Sequence, residues 1–271
     1  MGLLQSRPCV DIDEEENSLI DNNTNINKYG WKVDLPDHRD IYYTKNSRIA
    51  STKIDLREKC PKIYNQGNLG SCTANAIGFA FQYDEMKQKE GSEFMPSRLF
   101  IYYNERNMEG TTGYDAGASI RDGIKSVYNI GVCDEKMWKY DISKFTEKPS
   151  IDCYKFAKKH ESLKYMRIKQ DLESMKQCLM DGYPFVFGAS IYESFESENV
   201  KKSGMVPMPD KSEKLLGGHA LSVVGYDDSY GFLVRNSWGE DWGLKGYCYM
   251  PYDYLCNTDL VNDLWTIRQI M

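Results

Sequence analysis

Apolar residues are distributed along this chain in two regimes. Between Cys72 and Gly182 they recur at helical spacing, which predicts helices near 72–90, 96–108 and 117–130 and a shorter one from Asp171 to Gly182. Beyond that point they condense into short runs bounded by Gly, Asp and Asn. These read as strands: Phe185 to Tyr192, Leu221 to Tyr226, Phe232 to Asn236 and Gly246 to Met250. The expected fold class is α+β, with a mainly helical lobe over about 60–169 and a β lobe over about 170–271. The first helix is uneven. It is apolar on nearly every side from Thr73 to Phe81, whereas Asp84, Glu85, Lys87, Gln88, Lys89 and Glu90 make its second half polar before Gly91 ends it. Such a helix starts inside the protein and finishes in water, with Cys72 at its buried end.

The pattern changes again before residue 54. Residues 1–28 are acidic and Asn-rich, with Asp11, Asp13, Glu14, Glu15 and Glu16 clustered, and are expected to form a disordered tail. Residues 29–53 carry Trp31, Leu35, Ile41, Tyr42 and Tyr43, enough apolar surface to dock onto the body. The chain of 271 residues is long enough for one sizeable core split between two lobes, and its net charge of −6 argues against a nucleic-acid partner. No apolar run is long enough to span a membrane, and the start has neither a basic nor an apolar leader region, so a cleaved signal is not expected. Met1-Gly2-Leu3-Leu4-Gln5-Ser6 does fit the N-myristoylation pattern, with Cys9 available as a second acylation site. A membrane partner is expected only if Gly2 is acylated.

Three short strings carry the chemistry: Gln66-Gly67-Asn68-Leu69-Gly70-Ser71-Cys72, Gly218-His219-Ala220 and Arg235-Asn236-Ser237-Trp238-Gly239. They supply a nucleophile, a base, a group to orient the base and an oxyanion donor, the parts that covalent acyl transfer requires. A thiol at a helix start is favoured as thiolate by the unpaired N–H groups there, and a neighbouring imidazolium favours it further. If the runs around His219 and Asn236 form a hairpin, their midpoint falls at Asp227/Asp228 and the two side chains sit nearly opposite each other. An Asn amide in that position accepts the imidazole N–H and aims the ring. His38 and His160 lack comparable context, and His160 reads as a solvated helix position.

These strings, in this order and at these separations, resemble the motifs of the papain family of cysteine peptidases. The likeness runs from Ile54-Asp55-Leu56-Arg57, which resembles the opening of the mature domain, to Met271. It implies a two-lobe papain-like fold, helical lobe and β-barrel-like lobe, with the active-site cleft between them. By the resemblance Cys72 is the nucleophile, His219 acid and base, Asn236 its orienter, Gln66 an oxyanion donor beside the Cys72 N–H, and Trp238 a shield over the His219–Asn236 bond. Gly117, within Tyr114-Asp115-Ala116-Gly117-Ala118, occupies the region of the family's substrate-lining strand, and the resemblance implies Gly117, Gly218 beside the base, and Trp238 as substrate-binding residues. The pocket for the second side chain upstream of the cut falls in the Cys256 to Trp265 region, with Val261 and Asp263 as candidates. Leu69 stands where most relatives have cysteine, and Thr73 where tryptophan is usual.

The function these features imply is a cysteine endopeptidase acting on protein or peptide substrates through a thioester acyl-enzyme. The competing classes are a catalytically silent papain-like binding protein, which would be expected to have lost one of the four residues, and a related acyl transferase, in which Asp rather than Asn usually orients the His. Neither a cofactor nor a metal is expected, since no Cys-x-x-Cys or His-rich cluster occurs. Of the eight cysteines, those other than Cys72 do not follow the family's bridges, although Cys248 and Cys256 are close enough to pair. That favours an intracellular, reducing compartment, the cytoplasm or a virion, over a lysosome-like one. The segment before Ile54 is expected either to inhibit as a short pro-region or simply to cap the domain.

Overall fold

The structure, a computed structural model, describes residues 28–44, 51–89, 92–160 and 162–270. The expected tail over residues 1–27, with Gly2 and Cys9, lies outside them. In chain order the elements are β1 (Trp31–Lys32), β2 (Lys53–Asp55), α1 (Cys72–Gln88), α2 (Arg98–Glu109), β3 (Ala118–Ser119) and α3 (Ile120–Ile130). Then come α4 (Ile151–Ala157), β4 (Ser162–Arg167), α5 (Leu172–Met180), β5 (Phe185–Tyr192), α6 (Glu198–Ser203), β6 (Leu215–Asp227), β7 (Gly231–Arg235), β8 (Tyr247–Met250), α7 (Tyr252–Cys256) and β9 (Val261–Ile270).

The α+β division holds, with two corrections. β4 lies within the span assigned to the helical lobe, yet it pairs antiparallel with β9 and opens a seven-stranded sheet of order β4-β9-β5-β6-β7-β8, with β2 pairing to β6. α1 stays buried from Cys72 through Glu85, further than its polar second half suggests. Asp84 accommodates this because burial pushes its carboxyl up to about 6, while the Gln88 amide donates to it. One apolar cluster fills the β lobe. A second joins α1, α2 and α3 and reaches across to Val186, Ala220 and Trp265 on the strands, so the two lobes meet along α1.

Local sequence explains the helix starts. Ser97 caps α2 by accepting from the Phe100 N–H at 3.1 Å, Ser119 caps α3 through the Asp122 N–H at 3.2 Å, and Asp171 caps α5 through the Ser174 N–H at 2.7 Å. His160 is not a solvated helix residue. It follows α4 and its ring stacks on Phe94 and Phe156 at 4.4 and 4.9 Å between centroids. The seven described cysteines, Cys248 and Cys256 included, are free thiols.

Candidate active site

Cys72 is the first residue of α1 and is fully buried. The loop before it is fixed from several sides. The Gln66 N–H donates to the Ser237 carbonyl at 2.8 Å, the Tyr140 hydroxyl donates to the Gln66 carbonyl at 2.9 Å, and the Gly70 N–H donates to the Asp115 carboxylate at 3.0 Å. The Gln66 side chain is anchored at its oxygen by the Ser237 hydroxyl at 2.7 Å, which aims its NH2 group toward the Leu69 carbonyl at 2.9 Å and the Lys28 carbonyl at 3.1 Å.

His219 comes from β6 and Asn236 follows β7. Their hairpin differs slightly from expectation: pairing runs out to Asp227 and Gly231, so the turn is centred on Ser229, and a bulge at Val224 offsets the strands. Ser222 lies opposite Arg235, so His219 meets Asn236 diagonally rather than face to face. The contact is nonetheless short, with His219 Nε2 2.9 Å from Asn236 Oδ1. The Ser237 N–H also donates to that oxygen, at 2.8 Å. The oxygen is therefore an acceptor, Nε2 carries the proton, and Nδ1 presents a lone pair that has no partner. Trp238 stacks over the His219 ring at 5.0 Å and 28°. The backbone N–H groups of Ala220, next to His219, Gly30 and Thr73 lie near enough to the Cys72 thiol to favour its anion. Cys72, Gln66, His219, Asn236 and Trp238 thus converge on one site.

Gly117 lies on the opposite wall with φ +65, a conformation that favours glycine, and its N–H donates to the Tyr102 hydroxyl at 3.1 Å. Tyr102 in turn donates to Asp115, so the loop carrying Gly70 and the turn carrying Gly117 share one carboxylate. Sequence reasoning missed this coupling because only the tertiary fold brings Tyr102 and Asp115 together.

The N-terminal segment fills the space between these walls. The Ala118 N–H donates to the Gly30 carbonyl at 2.7 Å, and β1 runs parallel to β3. A Cβ on Gly117 would lie 2.0 Å from the Gly30 oxygen, so only glycine admits this approach. Tyr29 packs edge-on to His219 and Trp238 at 6.2 and 6.3 Å and donates its hydroxyl to Glu196. Gly218 faces the backbone of Trp31. The segment is held less by the apolar residues expected to dock it than by buried charge. Trp31 and Tyr43 are buried, but Leu35 is 82% exposed and Ile41 69%. Asp34 accepts from the Trp265 indole N–H at 2.9 Å and the Arg121 N–H at 3.0 Å, and Asp40 pairs with Arg121 and Arg167. Asp263 takes Arg167 at 2.9 Å, the Asp34 N–H at 2.8 Å and the Trp31 indole N–H at 3.2 Å.

Enclosure sets the electrostatics. Burial pushes the Cys72 thiol up to about 11 and outweighs the N–H groups near it; burial also pulls the His219 imidazole down to about 4, against the raising effect of Asn236. The covered site therefore holds a neutral thiol and a neutral imidazole, not the ion pair that the sequence alone suggests.

Comparisons with known proteins agree with this architecture. Residues 50–262 match the family model of papain family cysteine proteases. The structure resembles xylellain, a cysteine protease from Xylella fastidiosa, with TM-score 0.83 and 42% identity, covering 91% of this chain and 97% of that one. An uncharacterized peptidase C1-like protein of Acanthamoeba polyphaga mimivirus is 41% identical over 93% of this chain and 90% of its own length. The fold also matches digestive procathepsin L 3 of Tenebrio molitor, with TM-score 0.70 and 17% identity over 90% of this chain and 77% of that one. A family match across most of the chain, joined to a buried thiol, an oriented imidazole and a glutamine amide at one cleft, identifies the chain as a member of the papain family of cysteine proteases.

Proposed function

We propose that this cysteine peptidase is an endopeptidase working through a thioester acyl-enzyme, and that its own residues 28–44 hold it latent. The observation that carries the latency is the position of residues 28–30: the Lys28 carbonyl takes the Gln66 amide, Tyr29 packs edge-on to the His219 ring, and the Gly30 N–H lies near the Cys72 thiol. An N–H offers the nucleophile nothing to attack. With the segment removed, the Cys72 proton passes to the lone pair on His219 Nδ1, and the thiolate is stabilised at the N-terminus of α1. Sulfur then bonds to the substrate carbonyl carbon, and the oxyanion is held by Gln66 Nε2 and the Cys72 N–H. Collapse breaks the C–N bond, with the imidazolium giving its proton to the leaving amine. Water next adds to the thioester with Nδ1 taking its proton, and the thiol leaves as the acid product forms. Asn236 holds the ring throughout, Trp238 keeps water from that hydrogen bond, and Gly117 and Gly218 let the substrate backbone lie where Gly30 and Trp31 now do. The proposed setting is a reducing compartment, which suits cysteines that do not follow the family's bridges.

The test uses a fluorogenic peptide and the chain beginning at Ser51. A synthetic peptide of residues 28–44, added to it, inhibits hydrolysis in competition with substrate; a peptide without effect at any concentration removes the latency. Gln66→Ala lowers kcat by about 10²–10³ with the thiol still reactive, since one of two oxyanion donors is lost. Cleavage falls inside protein chains: His38, His160 and His219 form no adjacent pair able to grip a terminal carboxylate, so mass spectrometry of digests shows internal fragments. A ladder of C-terminal dipeptides contradicts this.

A further inference from the structure

The slot that holds Trp31 has a chemistry of its own. Trp31 follows Gly30, and its ring lies directly over β5 and β6: a Cβ on Gly188 would lie 1.8 Å from the indole and one on Gly218 2.8 Å from it. Two glycines at neighbouring places on adjacent strands open a slot one aromatic ring deep, completed by Val186, Ala220 and Trp265 of the same apolar cluster. Its polar end is Asp263, 1% exposed, with Oδ2 on the indole N–H at 3.2 Å and Oδ1 on Arg167 at 2.9 Å. Asp263 has φ +58, a left-handed conformation that aspartate tolerates better than most residues.

We infer that this slot selects tryptophan two residues upstream of the cut in substrates, with Asp263 as the specificity-determining residue; the inference rests on the peptidase reading above. Of the two candidates for that pocket, Asp263 is the one whose carboxylate meets the Trp31 indole. When the segment leaves, Oδ2 loses both the indole N–H and the Asp34 N–H, so a substrate side chain ending in a donor restores what a phenyl ring leaves unmet. A cation is disfavoured for a separate reason. Asp34 and Asp40 depart with the segment, and Arg121 and Arg167 then face Asp263 as the one remaining carboxylate of the described network. A third cation enters a site that already carries one excess positive charge. A wide, flat, neutral ring with an N–H at its edge satisfies both conditions.

The test uses the full chain carrying Trp31→Ala, which empties the slot. Fluorogenic peptides differing only at that residue are cut about tenfold or more faster with Trp than with Phe, and faster with Phe than with Arg. Adding Asp263→Asn, which keeps the volume and a residue type tolerant of φ +58, brings the Trp to Phe ratio close to one. Arg cut as fast as Trp, or a ratio unmoved by Asp263→Asn, overturns the inference. A second arm needs no turnover, because residue 31 is itself a tethered occupant. In the full chain, alkylation of Cys72 by iodoacetamide is about tenfold faster with Trp31→Phe, because the seated ring then leaves Asp263 without the indole N–H. A wild-type labelling rate in that variant overturns the slot's preference. If no peptide is cut by any variant while that labelling difference holds, the peptidase reading fails and the slot's preference stands.

Discussion

Cys72→Ala abolishes peptide hydrolysis, by about 10⁵-fold or more, and leaves the protein folded. The loss is large because the sulfur makes the covalent bond, and alanine leaves no nucleophile at the start of α1. The fold survives because the residue opens α1, where alanine is a good helix former, and the change removes one buried sulfur at a cost of about 1 kcal/mol. Initial rates with a fluorogenic dipeptide substrate, using chains that begin at Ser51, check the activity, and circular dichroism checks the fold. Residual activity within tenfold of the parent would sink the assignment of the nucleophile.

What was legible in the sequence was what depends on neighbours in the chain. The Gly-rich turn into an apolar helix placed Cys72 at the start of α1, and the run from Gly217 to Asn236 gave a hairpin that carries His219 to Asn236. The turn position was not legible: pairing out to Asp227 and Gly231 shifts His219 away from Asn236, and the bulge at Val224, marked only by the neighbouring Gly225, recovers one position and leaves the pair diagonal. β4 was missed because Ser162–Arg167 mixes charged and apolar residues over a short run; its strand character comes from β9, about a hundred residues later. The greatest shortfall concerned the segment before residue 54. Apolar composition pointed to Leu35 and Ile41 as docking residues, whereas both are exposed and the hold comes from Asp34, Asp40 and Asp263 with Arg121 and Arg167. Acidic side chains on a segment read as a solvated face until the fold supplies arginines, and Asp34 and Asp263 stand 229 positions apart.

That charge network makes the cover pH-dependent, in a direction its composition dictates. Three carboxylates, Asp34, Asp40 and Asp263, face two guanidiniums, Arg121 and Arg167, so the buried cluster carries an excess negative charge. Burial first, and the neighbouring Asp263 second, push Asp34 up to about 6 against the lowering effect of its hydrogen bonds from Arg121 and Trp265. Freed into water, Asp34 returns to the ordinary carboxylate range. Seating the segment therefore takes up a proton: its contribution is full below the free value near 4 and is lost as pH rises through about 6. The catalytic pair adds little to this between pH 5 and 8. The covered site keeps one proton on the thiol, the released one keeps it on the imidazole, and uncovering merely moves it. Alkylation of Cys72 in the full chain is thus expected to run about 10³-fold slower than in the chain beginning at Ser51 at pH 5, the equivalent of about 4 kcal/mol of charge-assisted hydrogen bonds and indole burial. The ratio narrows about tenfold by pH 7. Asp34→Asn flattens that slope, because an amide has no proton to take up. Equal labelling rates in the two chains, both shown to be folded, remove the cover from the site; a ratio that grows from pH 5 to pH 7 instead removes Asp34 as the group that governs it.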